Sequence, residues 1–217
     1  MRAHLGLKLA FAVGLNLWAF VPYFWLQRHA LFPVTVMSEG ALDIWLGFSP
    51  HAVWIYLSLF LLMPVAPMQM QNTAQLRRYA LGVVGMSVIA DFFFLFWPTA
   101  VVRFSNQTAN ILYDALVAVD MPLNAFPSLH AAMAVFSALC CEQIFSQIRH
   151  PAIWRGVIWT WAGAIIWAML ATKQHVALDA VGGIVLGVTS YGCVFGVRKL
   201  KERESWLKLA RREEWTQ

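Results

Sequence analysis

Two histidines stand where this sequence could do chemistry. His130 falls in the stretch FPSLHAAMAVF, two residues after Ser128 and at the mouth of an apolar run. His175 falls in ATKQHVALDA, with Lys173 just before it and Asp179 four residues after it. On a helix a spacing of four stacks two side chains on one face, so Asp179 can bind one imidazole nitrogen of His175 and fix its tautomer. The other nitrogen is then free to attack, which is the orienting logic of a hydrolytic triad with histidine itself as nucleophile. Ser128 and the free amides of the helix that follows it can cradle an anion. His130 can give a proton to a departing oxygen, and Arg103 and Lys173 can offset the charge of a phosphoryl group in its transition state. The chemistry that uses all six is phosphoryl transfer through a phosphohistidine.

Each residue alone also has a plainer use. Ser128 can be an ordinary helix cap. His175 and Asp179 can simply satisfy each other, and Arg103 and Lys173 can reach for lipid headgroups. A His/His/Asp set can also hold a metal, although the two neighbouring cations would repel a divalent ion. The argument for a shared site is that all six fall at one boundary of the apolar segments that carry them.

Those segments set the solvent. The chain of 217 residues is 60% hydrophobic and only 12% charged, far too apolar for a soluble domain. Several runs reach the roughly 18 to 20 apolar residues that span a bilayer. They are continuous rather than alternating, which predicts helices over a barrel. The expected fold is all-α: a single membrane domain, 1–217, forming a bundle of six transmembrane helices at about 8–26, 51–67, 79–97, 129–146, 154–172 and 176–197. The first run lacks a small-residue cleavage site and reads as a retained span. Between 98 and 128, TANILYDALVAVDM reads as a short helix along the surface. Cys140, Cys141 and Cys193 fall inside spans, odd in number and without metal spacing, so neither a disulfide framework nor a zinc site is indicated.

Charge sets the orientation. With the N-terminus inside, thirteen Lys and Arg are cytoplasmic, among them seven in the basic tail 198–217, and only Arg28, Arg103 and Lys173 lie outside. That bias predicts both termini in the cytoplasm and the histidines on the extracytoplasmic face, in a bacterial inner or cell membrane. The tail RKLKERESWLKLARREEW reads either as a helix resting on anionic lipid or as a solvated segment that fixes topology. The net charge of +5 is therefore a topology signal and no reason to invoke nucleic acid. Two of the three outside cations adjoin the polar motifs, as an anionic substrate would require.

These residues resemble the type 2 phosphatidic acid phosphatase superfamily. PSLH at 127–130 and HVALD at 175–179 match the second and third of that family's three outer-face motifs. DMPLNAFPSLH and TKQHVALDAVGG are most similar to the branch of inositol-phosphorylceramide synthase-like proteins. The resemblance covers roughly Trp97 to Gly187. It implies a six-helix bundle, a metal-independent mechanism without cofactor, and a lipid phosphate substrate. Ser128 then resembles the phosphate-binding serine, His130 the general acid, His175 the nucleophile and Asp179 its orienting acid. Two positions depart from the family pattern. Phe96 stands where the first motif has Lys, seven before Arg103, and Met169 stands where the third has Arg, six before His175. Lys173 is the candidate substitute. Asp120, Asn124 and Tyr113 recur in the same branch, where the resemblance implies an acceptor or headgroup pocket. Asp91, inside the third span, can pair with Lys173 or Arg103 or serve a proton path.

Three functions are open at this point. One is a lipid phosphate phosphatase, and the second is a headgroup phosphotransferase in which a hydroxyl replaces water. The third is a lipid-binding or transport relative without turnover.

Overall fold

A computed structural model describes residues 5–103, 110–146 and 150–196. The tail beyond 197 lies outside the described residues. Ten α-helices and two short strands follow one another as α1 (Leu5–Leu26), β1 (Thr35–Met37), α2 (Ala41–Leu46), α3 (Val53–Leu57), α4 (Leu59–Leu62), α5 (Val65–Gln69), α6 (Thr73–Phe96), β2 (Thr99–Val101), α7 (Ile111–Val119), α8 (Leu129–Phe145), α9 (Pro151–Ala171) and α10 (Ala177–Tyr191).

Among the described residues, five helical segments are long and apolar enough to cross a membrane: Lys8–Leu26, Pro50–Gln69, Thr73–Phe96, Pro151–Ala171 and Ala177–Gly196. The second is not one rod. It runs as a 3₁₀ turn at Pro50–Ala52 and then α3, α4 and α5; the break between α4 and α5 falls at Pro64, which lacks the N–H that a continuous helix needs. The sixth expected span is α8, with only 17 residues. At 1.5 Å per residue it is about 26 Å long, short of a hydrocarbon core of about 30 Å. α8 fills the middle of the bundle, with Ala131 through Ala138 all buried, so protein rather than lipid surrounds it. The short helix expected between 98 and 128 is α7.

The tightest helix contact is α8 against α10. A Cβ on Gly183 would collide with the carbonyl oxygen of Ser128, and one on Gly187 would lie 2.5 Å from the carbonyl oxygen of Ala132. Opposite them α8 presents Ala131 and Ala132, so the backbones touch through small residues, as helices do where lipid offers no hydrophobic drive for association. The backbone N–H of Ser128 donates to the carbonyl of Asp179 at 3.1 Å. The starts of α8 and α10 are thus locked together, and each carries a histidine.

The two strands depart from an all-α chain. β1 and β2 pair in parallel, Thr35 opposite Thr99 and Met37 opposite Val101. Three-residue strands are too short to show a period-2 pattern. Their effect is local: buried Thr99 accepts from Phe126 N through its hydroxyl at 2.7 Å and from Ala125 N through its carbonyl at 3.2 Å. The segment that leads into Ser128 is pinned by these bonds.

Candidate active site

His130 and His175 come together, with ring centroids 5.6 Å apart at an interplanar angle of 54°. His130 is carried by the first turn of α8. That turn is capped by Ser128, whose Oγ accepts from Ala131 N at 3.3 Å. His175 ends the loop between α9 and α10, just before α10 begins. Both rings therefore project from helix starts that the glycine contact holds side by side.

His175 is 5% exposed and Asp179 is fully buried. Nδ1 of His175 lies 3.1 Å from the carbonyl oxygen of Ala125 and 3.5 Å from Oδ2 of Asp179. Both are acceptors, so the hydrogen belongs on Nδ1 and Nε2 keeps its lone pair. The nearer partner is the Ala125 carbonyl, which the Thr99 clamp positions. Asp179 Oδ2 also accepts from Val176 N at 3.0 Å, closing the first turn of α10. Its Oδ1 has no hydrogen-bond partner among the described residues. Asp179 is thus both helix cap and negative neighbour of His175.

His130 has a partner that sequence reasoning missed. The Tyr56 hydroxyl lies 2.6 Å from Nε2 of His130, and the two rings stack at 4.6 Å between centroids. Tyr56 is 1% exposed. The only signal in the sequence is a phenol placed inside an otherwise apolar span, which must find a partner when buried.

Ser128 is buried, and its Oγ lies 3.4 Å from the sulfur of Met169. Met169 holds the position where the family pattern has Arg, so a thioether occupies the space beside the serine. The carbonyl of Met169 accepts from Gln174 N at 3.1 Å and from His175 N at 3.4 Å, which turns the chain out of α9 toward the site.

The two expected cations have partners of their own. Lys173 sits in the left-handed region, φ 55°, which costs a residue with a Cβ about 1 kcal/mol. Its ammonium, 5% exposed, pairs with Glu39 at 2.8 Å and donates to the carbonyl of Asp43. Asp43 in turn caps α2 by accepting from Gly40 N at 2.9 Å, and it accepts from Ala177 N at 2.8 Å. Arg103 pairs with Asp120, Nη2 to Oδ2 at 3.3 Å, and also donates to the Asp120 carbonyl. Asp120 Oδ1 further accepts from Gln27 at 2.6 Å and Tyr23 at 3.1 Å. Asn124 joins this cluster by donating to the carbonyl of Tyr23 at 2.8 Å.

Asp91 pairs with neither cation, and its Oδ1 has no hydrogen-bond partner among the described residues. Tyr113 donates to the carbonyl of Thr172 at 3.2 Å. Burial pushes its phenol above the ordinary range, which keeps it a neutral donor. The acids Glu39 and Asp43 gave no sequence signal, because the groups they meet at the site, Lys173 and Ala177, lie more than a hundred positions away.

A protein-family model described as PAP2 superfamily matches residues 25–193. No curated protein and no solved structure matches the chain.

Proposed function

The chain belongs to the PAP2 superfamily, and on that premise we propose that it is an integral-membrane phosphatase that releases phosphate from a lipid phosphate through a phosphohistidine. Membership indicates phosphatase or phosphotransferase chemistry in general. The observation that carries the narrower reading is the pair of imidazoles 5.6 Å apart, one with a nitrogen free to attack and the other with a nitrogen held by a phenol. Nε2 of His175 attacks phosphorus and the bond from phosphorus to the ester oxygen breaks. His130 gives that oxygen its proton. Water then attacks the phosphohistidine with His130 as base, the P–N bond breaks, and phosphate leaves.

Ser128 and the amides at the start of α8 are the proposed phosphate cradle. For Arg103 and Lys173 to serve the phosphate, its oxygens must compete with Asp120 and Glu39. Glu39 is about one-third exposed and so is the easier to displace. The reaction as written needs no metal. The six-span topology, with α8 as the sixth span and the site on the extracytoplasmic face, belongs to the same proposal.

Transfer to a hydroxyl is the second reading, as in the inositol-phosphorylceramide synthase-like branch. The burial of His175 favours it, since a site that keeps water out protects the intermediate for another acceptor. One experiment separates the readings: the protein in detergent with a chelator, given phosphatidic acid, a polyprenyl diphosphate, or a phospholipid plus diacylglycerol, with phosphorus followed. Free phosphate supports the phosphatase, and label in a new lipid supports transfer. Strict dependence on magnesium would defeat both. His130→Ala should retain turnover only on esters with a good leaving group, since general acid catalysis contributes about 10²- to 10⁴-fold.

A further inference from the structure

No helix carries His175, since α9 ends at Ala171 and α10 begins at Ala177. The Ala125 carbonyl meets its ring, but its backbone is gripped from the first quarter of the chain. Asp43 in α2 is 2% exposed. Its Oδ1 accepts from Ala177 N at 2.8 Å, two residues after His175. Its backbone carbonyl accepts from the ammonium of Lys173, two residues before. Its Oδ2 accepts from Gly40 N at 2.9 Å and closes its own turn. Capping α2 uses only Oδ2. The other oxygen goes to an amide that α10 cannot satisfy within itself.

Resting on the reading of His175 as nucleophile, we propose that Asp43 is its positioning residue: by holding the chain on both sides of His175, it sets where Nε2 stands relative to phosphorus. Lys173 supports this. Its left-handed backbone, φ 55°, is a conformation that a residue with a Cβ keeps only when its surroundings fix it. Asp43 and Glu39 supply that fixing by holding its ammonium. The base on which α2 stands supports it too. β1, paired with β2, precedes α2, and Ser49 N just after α2 donates to the Ala171 carbonyl at 2.8 Å.

The strand pair frames both grips. Met37 of β1, Val101 of β2, Ala125 and Val176 form one small buried cluster, so the neighbour of His175 packs on the strands directly. β2 carries Thr99, which pins the Ala125 carbonyl that meets the ring. β1 leads into the residue that holds the backbone. The reaction needs both, because a displacement of about 1 Å at the nucleophile can cost about 10²-fold in rate.

The test compares the full chain in detergent with its Asp43→Ala and Asp43→Asn variants by two readouts. The first needs no turnover. With ¹⁵N-labelled histidine, His175 of the unaltered protein should show one neutral tautomer, protonated at Nδ1. Asp43→Ala should mix the two tautomers of His175 and leave the state of His130 as it was. Asp43→Asn keeps one acceptor oxygen for Ala177 N and should keep mostly the Nδ1–H form. An unchanged His175 spectrum in Asp43→Ala would overturn the proposal. The second readout is a double-mutant cycle on butyl phosphate. Asp43→Ala should lower kcat about tenfold or more with KM changed less than about twofold, and Asp43→Asn should recover to within about threefold. In His175→Gly supplied with imidazole, the attacking ring is cut free of the backbone, and Asp43→Ala should then cost less than about twofold. An equal loss in both backgrounds would make Asp43 a structural residue only and would likewise overturn it. Should Asp43→Ala not fold, Ala177→Pro breaks the same bond from the other side and should mix the tautomers in the same way. Val176 is already extended, φ −99° and ψ 166°, as a residue before proline must be, and proline suits the first position of a helix. If no phosphate ester is turned over, the functional reading fails, and the tautomer of His175 still decides whether Asp43 positions the ring.

Discussion

Helix α10 lies against α8 with glycine on alanine, whereas α1 stands off residues 59–68 and leaves an open cavity. The first contact has no slack: both helix starts are capped, joined by Ser128 N to Asp179 O, and tipped with a histidine. The second is interrupted at Pro64 and lined mostly by apolar side chains, with His130 in its wall. Under the proposed reaction the first region must hold two nitrogens around one phosphorus to within a fraction of an ångström, a demand that the second region does not share. Tyr56 joins the two regions, since it belongs to the broken span yet bonds His130.

Three substitutions sharpen or break this contrast. His175→Ala removes the nucleophile and should abolish phosphate release, by roughly 10³-fold or more; full activity would end the histidine mechanism. Gly183→Val drives a side chain into the Ser128 carbonyl. Overpacking of about 1–3 kcal/mol should lower the Tm in detergent by about 5 °C and misalign the histidines. An unshifted Tm would mean that the α8–α10 contact is looser than the glycine geometry states. Tyr56→Phe removes a hydroxyl and should lower kcat about three- to tenfold, the worth of one hydrogen bond. Its pH–rate profile should also move, a readout that a merely structural role would leave in place.

Much of the site was legible because its spacing is local. Asp179 four residues after His175, and Ser128 at the cap before His130, describe arrangements that a helix start enforces on its own. The positions of the spans were legible for the same reason, since apolar length is a property of consecutive residues. The second span was expected as one helix, and its break between α4 and α5 comes from Pro64, which was plain in the sequence. Other features were not readable. Lys173 and Arg103 were expected to face a phosphate, and the structure places Glu39 and Asp120 on them. Nothing in a linear reading pairs Lys173 with an acid from the first quarter of the chain. The Ala125 carbonyl could not be foreseen either, since every residue has one and only the Thr99 clamp aims this one at His175.

The sequence by itself determined the solvent, the helices and the two imidazoles at helix starts, because hydrophobic length and short-range spacing act within a few residues. The tertiary structure alone decided which groups meet. It put Tyr56 on His130, set acids against both cations, and left an apolar cavity with His130 in its wall. Those outcomes depend on how closely two backbones can approach, and that is set by glycines and prolines far apart in the chain.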